Sequence, residues 1–382
     1  MNGKVKSILF KVEIEGRGVV NYDSNDQKYV AYRNSILYSK DRNIQHSNVL
    51  FAKKIWTSKE NDVNNGKDLD YKLKISGNSL RNAIFSNDSI EFNTKIAHTP
   101  NLLHYYMASV PTLLRGGLWT DHNYKRKGPI GIGDAIQSNN AQSSIEIFTK
   151  SGVKESQEDT GKSDTSLYYK ETVGDITYES RCTIDLKNLQ FISCDDLFDR
   201  KAFSSDTFED YVINGEKYIG YKHYLSKSLP MLKNLELGYY MMNGSIIQIP
   251  EHGILLDNET VLYLTKELFK RVLSLNINKS TSYAQVKSLK IKFVIDSIDN
   301  KFSDSNGWID INTEGDIDNL SFDAHEFYTK FDAEEANAIR EEYVKVFEKT
   351  ARDKKLEREK NVEEKRTNRK NKKNITETEI DE

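Results

Sequence analysis

Residues 7–15 read SILFKVEIE, with Ile8, Phe10, Val12 and Ile14 at alternate positions and Lys11, Glu13 and Glu15 among the rest. That period of two marks a strand buried on one face, a pattern no helix reproduces. Near the other end, SLKIKFVID sets Leu289, Ile291, Phe293 and Ile295 against Lys290 and Lys292, and predicts a last core strand. Everything between must therefore build a sheet and cover one of its faces.

The covering elements are legible in part. In KLKISGNSLRNAIF (72–85) a short strand gives way to a helix, with Asn78 or Ser79 as N-cap and Leu80, Ala83 and Ile84 on its apolar side. Thr99-Pro100 starts a second helix carrying Leu103, Tyr106, Met107, Val110 and Leu114, which Pro111 should kink or divide and Gly116-Gly117 should stop. The run GILLDNETVLYLTKELFKRVLSL predicts a strand, a cap at Asp257 or Asn258, and a helix facing Val261, Leu264, Leu268 and Val272 inward. Residues 165–193 hold two β-rich runs about Gly174-Asp175 and predict a hairpin.

The resulting order is the βαββαβ logic of an α+β fold, a ferredoxin-like or RNA-recognition-motif-like palm. Gly16-Arg17-Gly18 predicts a bend after the first strand. Residues 23–70 are rich in Asn, Asp, Ser and Lys with few strong apolar runs, and 120–164 hold the glycine-punctuated GPIGIGD and a polar linker; both are expected to be inserted loops or lobes, the second without core. One domain over 1–330 is expected, followed by a helix from Phe331 that loses its apolar face after about Phe347 and fades into a charged, partly disordered tail to residue 382.

Composition narrows function. With 37% hydrophobic and 30% charged residues, a globular body must coexist with polar segments. No run reaches the roughly 20 apolar residues of a membrane helix, and the N-terminus carries no signal-peptide core, so a cytoplasmic protein with no membrane partner is expected. Cys182 and Cys194 lie too far apart for a CxxC pair and are expected to be reduced and structural. The seven histidines are scattered. Residues 310–321 mimic the start of a calcium loop, but Ser321 stands where a bidentate Glu belongs. GPIGIGDAI has two glycines of a dinucleotide fingerprint and Ile136 in place of the third, and no Walker-type GK[ST] or GxSxG occurs. No cofactor and no catalytic residue is expected.

Phosphate binding has more behind it. A helix N-terminus exposes unpaired N–H groups and partial positive charge, so Ser76, Asn78 and Ser79 followed by Arg81 suit an anion, although a plain cap with a solvated Arg81 explains the same residues. Arg115, then Lys125, Arg126 and Lys127, supply further cations, and Tyr169 and Lys170 an aromatic beside a charge; together they suit sequence-independent backbone contact with base stacking. A solvated charged surface is the alternative for each. The net charge of −3 leaves a local basic groove open.

Several blocks occur together and in order: GRGVVNYD (16–23), ISGNSLRNAIF (75–85), MASVPTLLRGGLW (107–119), YKRKGPIGIGDAI (124–136), DTSLYYKETVGDITYESRCTIDLKNLQFISCDDLFDR (164–200) and HGILLDNETVLYLTKELFKRVLSL (252–275). In these the chain resembles the backbone subunit of CRISPR surveillance complexes, the Cas-seven branch of the RAMP superfamily, most closely that of variant, minimal type I-F systems. The resemblance implies a palm with inserted lobes shaped as fingers and thumb. It also implies a non-catalytic subunit whose copies line up along the spacer of a CRISPR RNA and present it for pairing with target DNA. Implied partners are the CRISPR RNA, further copies, a 5′-tag-binding subunit, a repeat-processing endoribonuclease and a recruited helicase-nuclease. The implied RNA-facing set is Arg17, Ser76, Asn78, Ser79, Arg81, Arg115, Lys125, Arg126, Lys127, Tyr169 and Lys170. Val173, Gly174 and Asp175 would form a hairpin tip that wedges against a displaced base. Three features depart from the family's pattern: Pro111, the 23–70 insertion and the tail. The competing readings are a RAMP endoribonuclease using His46 or a loop aspartate, and a scaffold that binds only protein.

Overall fold

The computed structural model describes residues 3–18, 22–23, 49–56, 71–86, 100–141, 143–152, 164–279, 282–295, 302 and 306–346. The strand Ser7–Arg17 lies inside a nine-stranded sheet. From one edge the order is Asn276–Lys279, Ser282–Val294, Ser7–Arg17, Asp175–Asp185, Ala135–Gln137, Tyr71–Ile75 and Lys54–Trp56. Ile309–Ile311 pairs with Ser282–Val294, Ile130–Ile132 pairs with Asp175–Asp185, and every pairing in this sheet is antiparallel.

The alternation read from the sequence fixes the register. Ile8, Phe10, Val12 and Ile14 are all buried, and Phe10 meets Phe269 edge-on with ring centroids 5.6 Å apart. Phe269 belongs to the helix Asn258–Leu273, which Asp257 caps by accepting from the Thr260 amide at 2.8 Å. Its buried Val261, Leu264, Leu268 and Val272 follow the predicted spacing, and truncating one such leucine costs about 2–5 kcal/mol. Between Glu13 and Ile14 the pairing with Ser282–Val294 slips by one residue. Lys287 is left over there and reaches Glu13 at 3.0 Å.

Several expectations are corrected. Residues 165–193 form no hairpin: Asp164–Val173 pairs with Ser143–Gly152 in a second sheet, and Asp175–Asp185 enters the central sheet beside Ser7–Arg17. Gly174 is a crossing between sheets, and β propensity alone could not say with whom each run pairs. The helix Leu186–Gln190 then interrupts the strand character, and Phe191–Ser193 joins a third sheet with Glu251–Leu255, Gly238–Met242 and Tyr328–Phe331. The 120–164 region is not coreless, since Ile130 and Ala135 are buried in the central sheet. Residues 54–56 of the 23–70 insertion form an edge strand of that sheet, and most of the remainder lies outside the described residues.

Phe331 ends the strand Tyr328–Phe331; residues 347–382 lie outside the described residues, and between them a helix runs over 333–346. Its anchor is Arg340, which donates to both carboxylate oxygens of Asp195 and, at 2.8 Å, to the Pro250 carbonyl. Burial alone would raise the Asp195 carboxyl, but Arg340 and the His252 and Leu197 amides hold it below its ordinary value. Next to it the buried Glu251 grips Arg200. Both cysteines are buried and free, and burial pushes the Cys194 thiol up to about 12. Among the described residues no helix is long and apolar enough to cross a membrane.

Candidate nucleic-acid interface

The helix after ISG spans Gly77–Ile84, and its cap is Ser76 rather than Asn78 or Ser79. Ser76 is extended and its Oγ accepts from the Ser79 amide at 3.4 Å, while the Ser79 hydroxyl lies 3.0 Å from that same oxygen. The anion preference of the helix start is answered from within the chain: the Gly77 amide donates to Oδ1 of Asp134 at 2.9 Å, and Lys74 Nζ reaches Oδ2 at 3.2 Å. The Gly77 amide does most to hold the Asp134 carboxyl below its ordinary value, with Lys74 and Lys53 adding to it against desolvation by burial. Gly77 is required here because a Cβ would stand 2.2 Å from the Ile132 carbonyl oxygen. Asn78 is exposed, and Arg81 is half-buried with an Nε that has no hydrogen-bond partner.

The second cationic turn is built differently. Pro111 divides the helix as predicted, into Pro100–Ala108 and Val110–Arg115, and Ser109 caps the second piece by accepting from the Thr112 amide. Gly116 ends it at φ 83°, where a Cβ would fall 2.7 Å from the Gly128 nitrogen and 2.9 Å from the Arg126 carbonyl oxygen. Gly117–Trp119 pairs with Tyr124–Arg126, placing Gly117 opposite Arg126. The Arg115 backbone therefore lies against Gly128, one position beyond Lys127. Lys127 is exposed, Arg115 is half-buried, and neither makes an ion pair with another described residue.

Strand alternation separates the three basic residues 125–127. Lys125 points outward to Asp199 at 2.5 Å, an exposed pair worth under about 1 kcal/mol, and so remains available. Arg126 points inward and is 5% exposed. Its guanidinium donates to the carbonyls of Phe191, Asn188 at 2.9 Å and Leu189 at 3.3 Å, at the end of the helix Leu186–Gln190. Arg126 is thus withdrawn from the RNA-facing set, because its donors serve buried carbonyls. The glycine-rich residues 128–134 run from this turn to Asp134 and join the two cationic turns through the Ile130–Ile132 strand.

The other predicted residues are dispersed. Arg17 is exposed at the end of the central strand, opposite Asp175 and Tyr283 in register. Val173 is buried and its carbonyl accepts from the Gly18 amide at 3.0 Å, so 173–175 is no projecting tip. Tyr169 and Lys170 lie on the strand Asp164–Val173, and their side chains fall outside the described residues. A hairpin that does project was missed. Tyr211–Ile213 and Glu216–Tyr218 turn at Asn214-Gly215, both at positive φ, and Val212 is 66% exposed. Its signal was the Asn-Gly pair between β-forming residues in YVINGEKY. The base of this hairpin stacks Tyr211 on Tyr218 and meets the buried His104, whose pKa burial lowers.

The calcium-like loop resolves as ordinary capping. Ile309–Ile311 is a strand, and Asp316 accepts from the Asn312 and Thr313 amides at 2.9 Å each, in a capping box with Thr313. Among the described residues no group of three or more His, Cys, Asp or Glu could hold a metal ion. His46 lies outside the described residues.

Comparison with known proteins bears on this arrangement. No curated protein matches the chain. One chain of a solved "CRISPR RNA-guided surveillance complex" is similar at 10% identity and a TM-score of 0.29, over 74% of this chain and 68% of that one. Another, from a "CRISPR RNA-guided surveillance complex, pre-nicking", is similar at 8% identity and a TM-score of 0.31, over 75% of each. Superpositions this loose fix no detail. The model of the family described as type I-Fv CRISPR-associated protein Cas7fv-like matches residues 4–321, from before the first core strand to past the last, and the chain belongs to that family.

Proposed function

We propose that the chain is a non-catalytic backbone subunit that holds a CRISPR RNA by its phosphates and leaves the bases to pair with target DNA. The observation that carries this reading is the turn where the Gly116 and Gly128 backbones interlock, bringing the chain at Arg115 against the segment that carries Lys125 and Lys127. Cations gathered with a single exposed carboxylate, Asp199 beside Lys125, among the described residues suit a polyanion, and they read no base. Family membership gives the polyanion its chemistry. The palm reading draws on strand order: counting only the strands at 7–17, 130–137, 175–185 and 282–294, the sequence is fourth, first, third, second, as a ferredoxin-like sheet requires. Copies of the chain, a 5′-tag-binding subunit, a repeat-processing endoribonuclease and a helicase-nuclease complete the proposed assembly.

The test is co-expression with a CRISPR array. RNA of uniform length should co-purify with the protein and dissociate steeply as salt rises. Ragged or absent RNA would overturn the reading. Sequence-specific RNA cleavage that is lost on His46→Ala would replace it with the endoribonuclease.

A further inference from the structure

Arg126 is a buried cation that pairs with no carboxylate among the described residues. Its acceptors are carbonyl oxygens at the C-terminal end of Leu186–Gln190, where aligned peptide dipoles concentrate partial negative charge. Its Nε has no hydrogen-bond partner. A methionine would bury its apolar stem at lower cost, so this guanidinium demands a role that volume alone does not explain.

Its backbone supplies one. The Arg126 carbonyl crowds Gly116, Gly117 lies opposite it, and Gly128 abuts the Arg115 carbonyl. The side chain of Arg126 is therefore fixed in the core, and its backbone packs against the turn that carries Arg115 while Lys127 follows it directly. Burial pulls its pKa down to about 10, which still leaves it charged at neutral pH.

We propose that Arg126 is a positioning residue for RNA: its forked guanidinium pins the 124–128 strand to the end of Leu186–Gln190, aligns Arg115, Lys125 and Lys127 along one phosphate track, and never touches the RNA. A planar fork spanning three carbonyls fixes orientation as well as position, and an ammonium cannot reproduce that. The inference rests on the RNA-holding reading for its consequence, though the pin itself does not.

Arg126→Met and Arg126→Lys, in the full chain, separate the possibilities. The slope of log affinity against log salt would be measured with a single-stranded CRISPR RNA transcript, on protein shown to be folded by its melting profile. Hydrogen exchange of the 115–128 amides would be followed without RNA. Arg126→Met should flatten the slope by about 1.4, equivalent to two lost single-strand phosphate contacts. Arg126→Lys should fall between that and the wild type, and both should speed exchange at 115–128. If folded Arg126→Met keeps the wild-type slope, the arginine is structural only and the proposal fails. If Arg126→Met cannot be folded, Arg126→Lys decides, and a wild-type slope in that variant is equally fatal. Unchanged exchange at 115–128 removes the pin, whereas a wild-type protein that binds no RNA, with exchange still accelerated in the variants, removes the RNA-holding reading instead.

Discussion

The turns at Ser76-Gly77 and Gly116-Gly117 look alike in sequence, each setting glycine beside a helix end with an arginine close by. They differ in what faces them. At the first, Asp134 stands where an external anion would go, held by the Gly77 amide and Lys74. At the second, the facing groups are carbonyls and cations, and Arg115 and Lys127 have no acidic partner among the described residues. The first turn is a helix start whose pull on anions Asp134 already answers, whereas the second is a helix end, where the Arg115 and Lys127 side chains alone draw an anion.

Substitutions at the two turns test this contrast. The largest effect is expected from Arg115→Ala combined with Lys127→Ala, which should reduce RNA affinity by roughly tenfold or more and flatten the salt slope by about 1.4, as read by fluorescence anisotropy. An unchanged slope would remove the second turn from the interface. Gly77→Ala should then cost about 2 kcal/mol in urea unfolding, because the added methyl meets the Ile132 carbonyl oxygen at 2.2 Å. A neutral result would mean that 132–134 yields easily and could admit a phosphate.

Asp134→Asn should cost about 1 kcal/mol at neutral pH, the scale of a lost helix-start partner. The Asp134 carboxyl is depressed in the folded protein, first by the Gly77 amide and then by Lys74, from an ordinary value of 3.8. Its contribution is therefore complete above that value and is lost as pH falls through the lower folded value. Melting curves of wild type and Asp134→Asn should accordingly differ at pH 7 and converge as the pH falls below the depressed folded value. A gap that persists in acid would assign the effect to something other than charge. The smallest effect is expected for Ser79→Ala, which should leave RNA retention nearly unchanged, since Ser79 faces Ser76 within its own turn. A tenfold loss would restore the first turn as the phosphate contact.

The sequence exposed the parts whose physics is local. The strand at 7–15, the Asp257 cap with its Val261, Leu264, Leu268 and Val272 stripe, and the division at Pro111 all follow from nearest-neighbour spacing. The cations at 115 and 125–127 were equally visible, but not that Arg126 turns inward, because in a short strand the phase of alternation is set by what lies beneath it. Asp134 was hidden in a glycine-rich run because its partner, Gly77, is a backbone amide remote in sequence. The hairpin assigned to 165–193 failed because β-rich runs either side of a glycine look the same whether they pair with each other or part into two sheets.

Local spacing alone dictates a chain that covers an alternating sheet with amphipathic helices, shares the ordered blocks of its family and offers cations in glycine-rich turns. Which of those cations remain available depends on the folded arrangement. Arg126 is bound to buried carbonyls, Asp134 answers the Ser76-Gly77 turn, and the backbone of Arg115 is packed against Gly128, next to Lys127. The reason is physical: spacing along the chain sets which face a side chain takes, whereas the charge it meets comes from residues far away in sequence, brought near only when the sheet closes.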